Sequence, residues 1–96
     1  MSIICEAIRR RLLIEFQYEG LQRVVAPYCH GTSTRGLESL RGIQVAGASS
    51  GGGMGFGKLW TVSKMRDVRL TDVAFAPVDP HYNPNDTGMK LIHCRV

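Results

Sequence analysis

The sequence predicts a mainly β domain, a small barrel of five or six short strands with one N-terminal helix. Three observations carry that prediction. An apolar stripe at i, i+4 runs through Ile4, Ile8 and Leu12 and then stops. From Leu13 the apolar period falls to two: Ile14, Phe16 and Tyr18 alternate with Glu15 and Gln17. Beyond that point turn-forming residues punctuate the chain at Glu19-Gly20, around residues 32–36, in the glycine-rich stretch 47–57, and among Pro77, Pro80 and Pro84.

Taken in order, residues 2–12 read as the helix. Ser2 can cap it, Glu6 lies near the positive end of the dipole, and Arg9, Arg10 and Arg11 lie near the negative end. Residues 13–18 form a half-buried strand, and residues 22–28 its return, broken or bent by Pro27. Residues 29–32 extend that strand, and residues 37–48 give a third extended run. Residues 58–64 place Trp60 and Val62 on one face, and residues 66–75 follow with Val68, Leu70, Val73 and Phe75. Residues 91–96 close the pattern, with Ile92, Cys94 and Val96 alternating against His93 and Arg95. The whole chain, residues 1–96, reads as a single domain: helix 2–12, barrel strands 13–76 and a C-terminal extension 77–96.

Size and composition bound the function. With 96 residues the chain is too short for a doubly wound nucleotide fold or a (β/α)8 barrel. With 44% hydrophobic and 21% charged residues it is not disordered throughout. Twelve Lys and Arg against eight Asp and Glu give +4, which permits anionic partners without requiring them. Three cysteines without a CxxC do not suggest a disulfide framework. No uninterrupted apolar core of a leader and no apolar run of ~18 residues is visible, so the expectation is a cytoplasmic protein with no membrane contact.

Four kinds of site were sought. Gly52-x4-Gly57-Lys58 matches a phosphate-binding loop until Leu59 replaces the magnesium-binding Ser or Thr. A strand follows where the phosphate loop needs a helix, so residues 47–57 read as a hairpin loop without nucleotide hydrolysis. Cys29, His30, His81, His93 and Cys94 are of metal-ligating type but lack paired spacing. Neighbours on a strand face opposite ways, so Cys29-His30 and His93-Cys94 each offer one ligand easily, and neither metal nor cofactor is expected. No nucleophile elbow, paired-carboxylate motif or HExxH occurs, so a small hydrolase ranks last and the chain reads as non-catalytic. Basic residues are interleaved with aromatics, as in barrels that bind single strands, with Tyr28, Phe56 and Tyr82 beside turns and so expected to be exposed.

The motifs in their order resemble the WYL domain, an Sm-like β-barrel common in bacterial and phage proteins. The similarity runs through Ala7-Ile8-Arg9-Arg10, then Ile14-Glu15-Phe16-Gln17-Tyr18-Glu19-Gly20 and Arg23-Val24-Val25-Ala26-Pro27-Tyr28. It continues through Leu40-Arg41-Gly42-Ile43-Gln44 and Lys58-Leu59-Trp60-Thr61-Val62-Ser63-Lys64-Met65, covering about residues 3 to 76. The naming triplet falls on Glu38-Ser39-Leu40, of which only the Leu survives. The resemblance implies a regulatory module that binds a nucleotide or single-stranded nucleic acid. By position it assigns the ligand to Arg23, Tyr28, His30, Arg41, Lys58 and Lys64, with Arg23, Arg41 and Lys64 as one basic patch. The alternative reading is a protein-interaction or self-association module, a homodimer included, with no ligand of its own.

Overall fold

The computed structural model describes residues 3–47, 59–80 and 82–96. Of the expected glycine loop 47–57, Gly47 ends the third strand, and residues 48–57 lie outside the described residues, as do Lys58 and His81. One helix, α1 (Ile3–Arg10), is followed by β1 (Leu12–Tyr18), β2 (Leu21–Ser33), β3 (Glu38–Gly47), β4 (Leu59–Thr61), a 3-10 turn at Val62–Lys64, β5 (Arg66–Ala74) and β6 (Met89–Arg95).

The helix ends two residues before its expected limit, because Arg11 takes φ +55° and its amide closes on the Ile8 carbonyl. A left-handed residue there stops the helix and turns the chain into β1. Leu12, expected as the last helical apolar residue, therefore opens the strand. Glu19 and Gly20 both have positive φ (54° and 76°), the geometry of a two-residue type I′ hairpin loop, and Tyr18 pairs with Leu21 across it.

All the strand pairs are antiparallel, in the order β4-β3-β2-β1-β5, with β6 attached to β2. Among the described residues this path does not close on itself, so the sheet is an open, mainly β assembly of six strands with one helix. β2 is long enough to change partners along one edge. Leu21 to Val25 pair with β1, and Cys29 to Ser33 pair with β6. Pro27 sits between the two partners and beside a bulge against β3, where a missing N–H is tolerated. Pro27 thus leaves β2 continuous.

Gly31 permits the second pairing. A Cβ at that position would run into the Leu91 carbonyl oxygen and reach the Ile92 Cα at 3.0 Å. α1 lies against β1, β2, β5 and β6 and buries Ile4, Ala7 and Ile8 in the core with Ile14, Phe16, Tyr18, Val25, Leu40 and Trp60. Phe16, Tyr18 and Trp60 meet edge-on at 5.0 to 6.1 Å between ring centroids, the arrangement aromatic quadrupoles favour. β5 is more exposed than its pattern predicts. Val68 and Leu70 are half-buried, while Val73 is 53% exposed.

No described helix is long and apolar enough to cross a membrane. Ile8 is fully buried, so Ile8→Asp places an unpaired charge in the core. We expect a loss of about 3 kcal/mol or more in urea unfolding. Gly31→Ala should cost about 1–3 kcal/mol in the same assay, by forcing β6 away from β2.

Candidate functional site

Where β2 passes from β1 to β6, three side chains from three elements converge. Cys5 comes from α1, Cys94 from β6 and His30 from β2. Cys5 and Cys94 form a disulfide, with their Cα atoms 5.8 Å apart across 89 residues of sequence. His30 is the register partner of Cys94 and is 4% exposed. Its Nδ1 lies 3.2 Å from Cys5 Sγ and 3.7 Å from Cys94 Sγ.

The other nitrogen fixes the ring. His30 Nε2 lies 2.6 Å from Glu38 Oε2 on β3. His30 pairs with Leu40, so Glu38, two residues away, shares its face as a diagonal neighbour. An ionised carboxylate only accepts, so Nε2 donates to Glu38. In the neutral ring the lone pair then sits on Nδ1 and points at the sulfurs. The His93 ring stands 5.4 Å from His30, and its Nε2 is 3.3 Å from Thr32 Oγ1.

The opposite phase of β2 carries Cys29, a buried free thiol whose register partners are Arg41 and Arg95. Burial, and then the charge of Asp86, push its pKa up to about 11 against the lowering pull of Arg95 and Arg41. It stays a thiol at neutral pH and does not resemble an activated nucleophile. Arg41 Nε and Nη2 donate to the two Asp86 carboxylate oxygens at 2.7 and 3.0 Å, a bidentate pair. Burial alone would raise the Asp86 carboxyl. The Arg41 hydrogen bonds, the Gly88 amide and the Arg41 charge outweigh it and hold the carboxyl below its ordinary range.

The residues assigned from sequence are placed as follows. Arg23 is 1% exposed, not at the rim of a patch. Its guanidinium lies over the Tyr18 and Trp60 rings at 5.8 and 5.5 Å, donates to Gln44 Oε1 and the Tyr18 carbonyl, and reaches Glu19 at 3.4 Å. Tyr28, expected to be exposed, is buried against Phe75 and Tyr82 because the extension after β5 folds back over it. Arg41 is held by Asp86. Lys64 is exposed on the 3-10 turn, and His30 belongs to the cysteine cluster. On β2, Arg23 faces Gly47 and Cys29 faces Arg41. Six residues of strand, about 20 Å, separate the two positions, so Arg23 and Arg41 do not form one patch.

Comparison of the chain with family models, with curated proteins and with solved structures finds no match. The site therefore stands on its own geometry. Sequence reasoning included His30 and Cys94 but missed Cys5 and Glu38. No spacing signal links them, because Cys5 lies on the helix and Glu38 follows a turn.

The depressed Asp86 pKa has a signed consequence. Its stabilisation is present above the unfolded carboxyl value of about 3.9 and is lost as pH falls through the lower folded value. Acid unfolding followed by circular dichroism should show a stability loss below about pH 4 that is smaller in Arg41→Ala.

Proposed function

We propose that this chain is a regulatory binding module whose conformational state is set by the Cys5–Cys94 pair, a thiol switch and not an enzyme. The observation that supports this is the bond itself. It fastens the one described helix to β6 directly over a histidine whose Nδ1 faces both sulfurs. Reduction by a dithiol is balanced simply. A thiolate attacks one sulfur, the S–S bond breaks, and the leaving sulfur takes a proton from solvent. The second thiolate then closes the reductant's own disulfide, and the chain is left with two thiols. Loss of the bond frees α1 to leave the apolar surface covered by Ile4, Ala7 and Ile8. In a reducing cytoplasm such a bond is transient, which suits a sensor.

A second reading keeps the WYL-like role, with the sheet and α1 as an incompletely closed Sm-like barrel for an anionic ligand. Lys64, Arg66 and Arg69 favour it. All three are exposed, within six residues of one another, and no ion pair holds them among the described residues.

Two measurements test these readings. Thiol trapping across redox buffers should place the pair's potential above about −300 mV, and reduction should speed amide exchange in α1. A bond that resists dithiols, or an α1 whose exchange ignores its state, would remove the switch. Under the second reading, an oligonucleotide or nucleotide should bind less tightly as salt rises, and Lys64→Ala with Arg66→Ala should weaken it further. No binding at low salt would favour the self-association or protein-interaction module.

A further inference from the structure

We infer that the reduced chain binds one zinc ion through Cys5 Sγ, Cys94 Sγ and His30 Nδ1, leaving a fourth position for water or a small ligand. This rests on the reading above that the Cys5–Cys94 bond is reversible. The three ligand atoms already lie within 4.8 Å of one another. Zinc bonds of about 2.3 Å to sulfur and about 2.0 Å to nitrogen, at tetrahedral angles, need sulfur–nitrogen separations of about 3.5 Å. The observed separations are 3.2 and 3.7 Å. Only the sulfurs must part, to about 3.8 Å, once the bond between them is reduced.

The surroundings match what zinc requires. The Nε2–H of His30 donates to Glu38 at 2.6 Å, the carboxylate–histidine–metal arrangement that orients a ligating imidazole and strengthens it as a donor. Two thiolates neutralise the charge of Zn2+, so the complex fits a site where Cys5 and Cys94 are half-buried and His30 is buried. Two soft thiolates and an imidazole select zinc over magnesium or calcium. Binding releases the two thiol protons to solvent. Oxidation reverses it: a peroxide takes two electrons from the thiolates and two protons from solvent, forming the disulfide and two hydroxyl products, and the zinc leaves. Cys29 lies on the other phase of β2 and takes no part.

The test uses the full chain, reduced with a phosphine, freed of it without oxygen, and titrated with zinc against a chromophoric chelator. Cobalt serves as the spectroscopic probe. We expect one zinc per chain, a thiolate-to-cobalt charge-transfer band, and no uptake by the oxidised chain. His30→Ala and Cys94→Ser should lose at least about a hundredfold in affinity, and Glu38→Gln about 10–100-fold, while Cys29→Ser binds as the parent does. If reduction unfolds the chain, zinc should restore its near-ultraviolet circular dichroism. A folded reduced chain that takes no zinc, a failure to refold with zinc, or a Cys94→Ser variant with full affinity overturns the inference. A bond that cycles without zinc uptake removes the metal site and leaves the switch. Zinc uptake by a chain whose bond never forms removes the switch and leaves the site.

Discussion

β2 hydrogen-bonds three neighbours, and the rest of the structure depends on how it divides one of its edges. Leu21 to Val25 serve β1 and Cys29 to Ser33 serve β6, while β3 runs along the other edge. Because β1 and β6 follow each other on the same edge, neither covers the interval between them. α1 packs across that region against β1, β2, β5 and β6. Its apolar face of Ile4, Ala7 and Ile8 makes it a necessary layer over an open sheet. The same division brings His30 to the start of the β6 pairing, directly beneath the helix that carries Cys5. The site therefore follows from a partner change in the sheet.

A second constraint is electrostatic. Arg23 brings a permanent charge into the core, and an unpaired charge there would be costly. The structure meets that cost with the Gln44 amide oxygen, the Tyr18 carbonyl, the Glu19 carboxylate and two aromatic faces. That explains why Gln44 is buried while Ile43 and Val45, its apolar neighbours, are not. A buried arginine whose two terminal nitrogens are held, with Nε left without a hydrogen-bond partner, suits a residue that fixes the β1–β2–β3 packing. It also explains why a position that a family resemblance assigns to a ligand can serve the fold instead.

The element order was legible where an element carries a strong local period, whereas residues 62–64, read as part of a strand 58–64, form a 3-10 turn. The i, i+4 stripe marks α1, the alternation from Leu13 marks β1, and the Glu19-Gly20 dipeptide marks the hairpin. Boundaries failed where a single backbone angle decided them, as at Arg11. The site was legible only in half. Strand parity allows one ligand from Cys29-His30 and one from His93-Cys94, and the cluster uses His30 and Cys94. The third partner, Cys5, is 89 residues from Cys94, and only tertiary packing brings the two together. Tyr28 was misplaced for a related reason. Its burial depends on Phe75 and Tyr82, whose return over the sheet has no periodic signal.

The site and the fold are coupled through the unfolded chain as well. A link closing a loop of this length removes chain entropy from the unfolded state worth about 4–5 kcal/mol in the loop-closure account. That is a large share of the ~5–15 kcal/mol stability of a small domain. A metal held by the same two sulfurs and His30 joins the same elements, α1, β2 and β6, so it tethers the helix as the disulfide does. Under the proposed switch, the oxidised and the metal-bound chains would present the same closed surface, and only the reduced, metal-free chain would release α1. Such a module would respond to the coincidence of a reducing environment and scarce zinc. Its selectivity would arise because two chemically different cross-links compete for one pair of sulfurs.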